Sequence, residues 1–208
     1  MDRVAIRPVI ASIIVAASMA GAWAFPAAAQ SIEDEATQAA TLPEPAETRE
    51  ERLSRLFAAL AATRDEKEAD RIAGEIRDIW AKSGSDSMDF LLERARRATA
   101  EKRYDRARAH VAALNRLAPD FAEGWNAAAT LAYLQEDLGR AAADIERALA
   151  LEPRHFSAIS GLAMILEKVE RKRAALAAWR EVERLYPTLD RAKEAVERLS
   201  PEADGRAL

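Results

Sequence analysis

Two histidines, His110 and His155, are the residues whose type most readily suggests acid–base or metal chemistry. His155 lies in the stretch LALEPRHF, among acidic, basic and aromatic neighbours, as catalytic histidines often do. A catalytic zinc site needs several protein ligands, commonly including an H-E-x-x-H motif on one helix face. Neither histidine belongs to such a pattern, so the sequence predicts no metal site and no catalytic role for either.

Nucleophile and phosphate-binding motifs are also missing from the sequence. It contains no cysteine, which excludes a thiol nucleophile and a zinc–cysteine site. It contains neither G-x-S-x-G nor S-x-x-K, and no glycine-rich phosphate loop. We therefore predict that the protein is not an enzyme and has no cofactor, with an envelope enzyme as a remote alternative.

The composition indicates that the secondary structure of the chain is mainly helical. Half of the 208 residues are apolar, yet 6% are aromatic and seven are glycine, so alanine and leucine dominate and favour helix. Charged residues make up 32% and nearly cancel, with a formal net charge of -4. This balance is typical of solvated helix faces and provides no basic surface for nucleic acid. The length predicts one domain.

The first 29 residues have the pattern of a secretory signal peptide. Two arginines precede an apolar run over 9–24, and an A-x-A cleavage pattern ends at Ala29. We predict cleavage after Ala29 or after Ala24, and a periplasmic protein. The alternative is an uncleaved segment that anchors the protein in the inner membrane, which would be its only contact with the membrane.

The next stretch, residues 30–46, mixes acids, small polar residues and two prolines, and is predicted to be a flexible acidic leader. Thr48 and Glu51 have capping-box spacing ahead of an apolar helical pattern, so ordered structure is predicted to begin there. Apolar residues continue with helical spacing as far as Trp80, and Ser-Gly-Ser follows. We interpret 48–85 as a helical hairpin.

Five columns of residues recur at an interval of 34 residues. The columns are Pro119, Pro153 and Pro187; Ala95, Ala129 and Ala163; Ala107, Ala141 and Ala175; Leu117, Leu151 and Leu185; and Leu91, Trp125 and Ile159. Small residues let two helices approach closely, and larger ones fill the space between helix pairs. Proline disfavours helix at the residue before it. The period therefore predicts repeated helical hairpins.

This period resembles that of the tetratricopeptide repeat (TPR) family, whose unit reads W-x2-L-G-x2-Y, then A-x3-F, then P. The clearest copy has Trp125, Ala129, Ala141 and Pro153 at the matching positions. Arg94 departs from the pattern, because an apolar residue is expected there. The resemblance implies an all-α fold, a right-handed solenoid of helical hairpins in which the N-terminal hairpin is a degenerate first pair.

The resemblance also sets boundaries along the chain. These are TPR 1 at 88–121, TPR 2 at 122–155, TPR 3 at 156–189, a capping helix at 190–200 and a flexible tail at 201–208. A capping helix is expected because the last repeat of a solenoid would otherwise expose an apolar face. Pro201 is expected to end this helix.

In the TPR family, the first helices of successive units line a concave groove that commonly binds a peptide or a helix of a partner. We call the matching positions the groove candidates. They are Asp89, Leu92, Arg96 and Thr99 in TPR 1, Glu123, Asn126, Thr130 and Tyr133 in TPR 2, and Ser157, Ser160, Met164, Glu167 and Lys168 in TPR 3. Some family members grip a C-terminal carboxylate with a lysine, asparagine and arginine set, which is essentially absent here.

The resemblance thus implies a non-catalytic adaptor or scaffold of the bacterial cell envelope that binds a protein or peptide and no nucleic acid. The alternative is a rigid structural accessory of an envelope assembly with no groove ligand. Trp80, Trp125 and Trp179 are able to stack on a ligand, but the last two occupy repeat positions, so packing is the preferred interpretation.

Charge is distributed unevenly along the chain. Residues 94–108 contain seven basic residues, and residues 33–51 contain seven acidic ones. Solvated surfaces explain both runs. The sharper hypothesis is that the acidic leader folds back on the first repeat and competes with an anionic partner.

Within the repeat, LALEPRHF is the joint between TPR 2 and TPR 3. Leu151 is expected to pack against the core, and Pro153 disfavours continuation of the helix. Arg154 and His155 are interpreted as linker residues, and Phe156 as the start of the next helix.

Overall fold

The computed structural model describes residues 47–203, so the predicted signal segment, the acidic leader and most of the tail lie outside the described residues. Within 47–203 the chain forms nine α-helices and no strand. They are α1 (Arg49–Ala62), α2 (Glu66–Trp80), α3 (Asp86–Ala100), α4 (Tyr104–Leu117), α5 (Ala122–Leu134), α6 (Leu138–Leu151), α7 (Phe156–Lys168), α8 (Lys172–Leu185) and α9 (Asp190–Ala203). None of these helices is long and apolar enough to cross a membrane.

The helices pack in successive pairs, and this confirms the predicted TPR-type solenoid. The repeats are α3–α4, α5–α6 and α7–α8. Ala107, Ala141 and Ala175, the alanines of one column, are fully buried at 0% exposure. Close approach of the two helices in each repeat depends on these small side chains.

The turn inside each repeat contains a residue with left-handed backbone. Lys102, Glu136 and Glu170 have φ angles of 57°, 62° and 58°. The next residue then donates its N–H to a carbonyl in the last turn of the first helix, as Arg103 does to Ala98 at 2.8 Å. This arrangement satisfies carbonyls that the helix end leaves open, usually with glycine at the left-handed position. None of the three residues is glycine, so residue type alone does not predict the left-handed conformation.

The solenoid begins at α3. The residues equivalent to Arg94 in the next repeats are Ala128 and Leu162, and both pack in core clusters shared with the preceding repeat. Arg94 is instead exposed, and its guanidinium lies 5.6 Å from the ring centroid of Phe90, which is 59% exposed. This face of α3 is open to solvent, which explains why a charge is tolerated where the repeat calls for an apolar residue.

The N-terminal hairpin, α1–α2, packs on the third repeat rather than on the first. Leu53, Phe57 and Trp80 share one core cluster with Phe156 and Tyr186. The capping box predicted at the start of α1 is present. The amphipathic pattern of α1 and α2 predicts that their apolar faces are buried, but it does not predict which repeat covers them.

Helix α9 closes the other end of the solenoid. Ala192 and Leu199 are 0% and 1% exposed and share a core cluster with α8. The expectation that Pro201 ends this helix is wrong, because α9 continues to Ala203. Proline removes one backbone donor, and in the last turn of a helix the loss of that single hydrogen bond leaves the preceding turns intact.

Candidate functional site

Four groove candidates lie around one cleft beside α9, which we call the C-terminal cleft. Its volume is about 510 Å³. Its lining residues are Tyr133 from α5, Met164, Glu167 and Lys168 from α7, Trp179 from α8, and Arg191, Glu194, Ala195 and Arg198 from α9. The three residues from α7 share one helix face because they are three and four positions apart.

Glu167 connects the helices that form the C-terminal cleft. Its Oε1 accepts a hydrogen bond from Trp179 Nε1 at 2.6 Å, and its Oε2 accepts one from Arg198 at 2.6 Å. These bonds join α7 to α8 and α9, and they satisfy the indole donor of a side chain that is 1% exposed. Glu167 is therefore part of the framework of the cleft, and its charge is balanced by Arg198.

Two cations lie beside aromatic rings at the C-terminal cleft. Lys168 Nζ lies 5.6 Å from the ring centroid of Tyr133 and donates to Glu136 at 3.0 Å. The guanidinium of Arg191 lies 5.7 Å from the ring centroid of Trp179. Tyr133 is half-buried and keeps part of its ring accessible, whereas Trp179 is 1% exposed, so its contact with Arg191 belongs to the framework of the cleft.

A second group of candidates, Arg96, Glu123 and Asn126, forms a hydrogen-bonded network with His155. Glu123 Oε1 accepts from Arg96 and from Asn126 Nδ2, the latter at 3.0 Å. Its Oε2 lies 2.7 Å from His155 Nε2. Burial acts to raise the pKa of Glu123, but the hydrogen bond from His155, the charge of Arg96 and the hydrogen bond from the Asn126 amide hold that pKa below its usual value. Glu123 is 5% exposed, so it is a buried network residue and not an open groove residue.

His155 is buried, although its position between two helices suggested an ordinary linker residue. It is 1% exposed, and its ring stacks on Trp80 with centroids 4.1 Å apart and planes 15° apart. Its Nδ1 accepts the N–H of Ala158 at 3.3 Å and caps α7, which assigns the ring hydrogen to Nε2 and makes Nε2 the donor to Glu123. Both ring nitrogens form hydrogen bonds, so His155 stabilises the joint between two repeats. Within 47–203, no group of three or more histidine and carboxylate side chains is placed to hold a metal ion.

The repeat itself contained the signal that links Glu123 to His155. Glu123 stands in the first turn of α5, and His155 immediately precedes α7. Equivalent helices of neighbouring repeats lie side by side in a solenoid, so the two residues are neighbours although they are far apart in the sequence. Residue type alone, without the repeat geometry, does not indicate this pairing.

Two candidates in the first repeat are engaged within the protein. Leu92 is 2% exposed and packs with Leu114, so it belongs to the core and not to a groove surface. It faces the second helix of its own repeat. Asp89 accepts from the backbone N–H of Ser83 at 2.8 Å and pairs with Lys82 at 3.4 Å. Asp89 therefore holds the turn between α2 and α3.

Hydroxyl-bearing candidates are mostly bonded to their own helices. Thr99, Thr130 and Ser160 each donate to the carbonyl four residues earlier, at 2.9, 3.0 and 2.8 Å. Ser157 is half-buried near the start of α7. Thr99, Thr130 and Ser160 therefore offer a partner their hydroxyl oxygens as acceptors, because their hydroxyl hydrogens are already donated.

The three tryptophans within 47–203 are held by the protein itself. Trp80 and Trp179 are 2% and 1% exposed. Trp125 is half-buried, and its Nε1 donates to the carbonyl of Pro119 at 2.8 Å. This agrees with the packing interpretation, although Trp179 also contributes part of one face to the C-terminal cleft.

No protein-family model matches the chain. A TPR repeat-containing protein of Rhizobium etli is 38% identical to this chain over 155 residues, which are 74% of this chain and 76% of the relative. The structure also has the paired helices that the 34-residue period predicts. On these grounds the chain belongs to the tetratricopeptide repeat family.

Proposed function

We propose that this protein is a non-catalytic interaction module of the bacterial cell envelope and that it binds a peptide or a helix of a partner protein at the C-terminal cleft. TPR proteins typically bind protein partners and are generally not catalysts, because their stacked helices present extended surfaces rather than reactive pockets. That general property of the family supports the binding function.

The C-terminal cleft is the single observation that carries the proposal. Its volume of about 510 Å³ is in the range of specific binding pockets, roughly 300 to 1,000 Å³. It combines the half-buried ring of Tyr133 with the flexible side chain of Met164 and accessible cations. Aromatic and methionine side chains bury apolar area with adaptable shape, which is typical of surfaces that recognise peptides.

The rest of the first-helix surface supports recognition at this end. Glu123 and Leu92 are buried, and the hydroxyls of Thr99, Thr130 and Ser160 are bonded to their own helices. Fewer side chains there are free to contact a ligand, so binding energy is expected to concentrate in the C-terminal cleft. Arg191 offers a cation at the edge of that cleft to an acidic residue of the ligand.

Site-specific photocrosslinking in the native envelope tests this proposal. A photoreactive residue placed at Lys168 should crosslink a partner protein, and the crosslink should be lost when Tyr133→Ala is added. The matched controls are a probe at Ala143, which is exposed on α6, and Leu134→Ala, which alters the exposed residue next to Tyr133. A partner captured equally from Lys168 and Ala143, or unaffected by Tyr133→Ala, would indicate a rigid scaffold without a ligand in the cleft.

The envelope location rests on the N-terminal sequence, which has two early arginines, an apolar run and an A-x-A pattern. Residues 1–46 fused to alkaline phosphatase, which is active only after export, should give enzyme activity in intact cells. Deletion of residues 9–24 should abolish that activity. Activity that persists after the deletion, or that is absent from the intact fusion, would contradict export by this segment.

A further inference from the structure

Two joints between repeats stand at equivalent positions in their repeats but differ in what covers them. The first joint, 118–121, links α4 to α5, and the second joint, 152–155, links α6 to α7. They are one 34-residue period apart. The N-terminal hairpin covers the second joint and leaves the first one open.

Contacts at the second joint reveal what this kind of surface binds. The ring of Phe57 in α1 lies 6.4 Å from that of Phe156, which begins α7. Arg154 donates to Glu50 at 2.7 Å, and its guanidinium lies 4.7 Å from the Phe57 ring centroid. The surface is thus occupied by an amphipathic helix, with apolar side chains on the joint and one charge opposite to that of Arg154.

Two leucines beside the first joint lack such a cover in the described part of the chain. Leu117 and Leu151 are 59% and 42% exposed, whereas the equivalent Leu185 is 5% exposed in the cluster that contains the hairpin. The expectation that Leu151 packs against the core is therefore wrong, because no helix lies over it in the described part of the chain. Both leucines line a cleft of about 650 Å³, which we call the joint cleft. Its apolar lining is Trp80, Met88, Leu117, Phe121 and Leu151, with the small side chains between them.

The charge of the first joint is opposite to that of Arg154 in the covered joint. Asp120 stands one period before Arg154 and lines the cleft, and no cation among residues 47–203 forms an ion pair with it. The cleft is also lined by Lys82, which pairs with Asp89 at 3.4 Å, and by Arg49. Because Arg49 repels a polycationic segment, the complementary partner has a single cation beside Asp120 within an otherwise apolar face.

We propose that the joint cleft is a docking site for an amphipathic helix of a partner protein, which lays leucine-type side chains on Leu117 and Leu151 and places one lysine or arginine beside Asp120. Trp80 contacts both surfaces, since its ring stacks on His155 of the covered joint and the residue borders the cleft. A helix docked there would extend the apolar interface that α1 and α2 form with the third repeat. This site is separate from the C-terminal cleft and does not depend on it.

The probe is a synthetic peptide of residues 47–62, the chain's own α1, with Glu50→Lys. It retains the apolar face that covers the second joint and reverses the charge that Asp120 would meet. Titrated into the full chain labelled with ¹⁵N, it should give saturable amide shifts centred on 117–122 and 151–152. Leu117→Glu combined with Leu151→Glu should weaken binding about tenfold or more.

Two controls distinguish binding at this site from nonspecific hydrophobic binding and from misfolding of the variants. Leu134→Glu changes a leucine that is 48% exposed but lies outside both clefts, and it should leave the affinity within about twofold. Asp120→Lys should weaken the Glu50→Lys peptide and strengthen the unmodified α1 peptide, each by about threefold to tenfold. The substituted residues are exposed, and circular dichroism checks that each variant stays folded.

Four results would overturn the proposal. One is the absence of saturable shifts, and another is shifts centred on Tyr133 and Lys168, which would mean binding at the C-terminal cleft. The third is shifts centred on Phe156 and Tyr186, which would mean that the peptide replaces the protein's own α1. A loss of binding in Leu134→Glu equal to that in the double variant would also contradict it.

Discussion

Trp80 and His155 stack with ring centroids 4.1 Å apart, and this contact fastens the N-terminal hairpin to the joint between the second and third repeats. Trp80 Nε1 also donates to Glu152 at 3.3 Å, so the indole has both a ring partner and a hydrogen-bond partner in that joint. Stacked, desolvated rings of this kind contribute energy beyond the area that they bury.

Trp80→Ala should therefore lower the free energy of unfolding by about 3 to 5 kcal/mol, because it removes a large buried side chain and uncovers His155. Urea denaturation measures the loss, and hydrogen exchange should show increased opening of α1 and α2. The matched control is Trp125→Ala, which removes a half-buried ring and should cost less. Equal losses in the two variants would contradict this role for Trp80.

Glu123→Gln should reduce stability at neutral pH by about 2 kcal/mol, because it removes the charge that Arg96 and His155 face. The pKa of Glu123 is lowered in the folded protein, so its contribution is present above the usual carboxyl pKa and is lost as the pH falls through the lowered value. Urea denaturation at several pH values should show a steeper loss on acidification in the wild type than in Glu123→Gln. Parallel pH profiles would argue against a charged, hydrogen-bonded Glu123.

Asp144→Asn should stabilise the protein at neutral pH by about 1 kcal/mol. Burial raises the pKa of Asp144. The charge of Arg140, whose Nε lies 3.7 Å from Asp144 Oδ2, offsets this increase only in part. Its Oδ2 is buried without a hydrogen-bond partner. A raised folded pKa means that the stability present in acid is lost as the pH rises, so the gain from Asp144→Asn should appear near neutral pH and vanish in acid. Thermal melts at both pH values measure it, and a destabilised variant at neutral pH would refute it.

Lys102→Gly should raise the midpoint of thermal unfolding, because glycine adopts the left-handed conformation of this turn without the steric cost of a side chain. The expected gain is about 0.5 to 1 kcal/mol. Lys102→Ala is the control, since alanine has the same β-carbon penalty as lysine and should leave the midpoint nearly unchanged. If the two variants change the midpoint equally, the left-handed backbone at Lys102 is not the source of the change.

The sequence predicts the repeats well because their period depends on local packing. Ala107, Ala141 and Ala175 must be small wherever two helices of a repeat meet, so the requirement appears at the same position in every copy. The left-handed residues also recur with this period. The turn accepts Lys102 and Glu136 in place of glycine, so the residue types do not indicate the left-handed conformation.

Contacts between distant elements are not predictable in this way. The apolar face of α1 requires burial, yet the same face fits any apolar surface of suitable shape, so its pairing with Phe156 depends on the whole fold. Position by position transfer of the family groove found Tyr133 and Lys168 at the C-terminal cleft, but it did not include Arg191 and Arg198, which lie beyond the last repeat. It also included Leu92, which is buried in the core.

The return of the N-terminal hairpin to the third repeat changes how the solenoid is expected to unfold. A simple array of repeats has contacts between neighbours only, so its end repeats fray independently. Here Asp70 of α2 bonds to Tyr186 at the end of α8, which makes the last repeat depend on the first helices of the chain. The protein is therefore expected to unfold more cooperatively than an open array, and to fold more slowly, because a long loop must close before this contact forms.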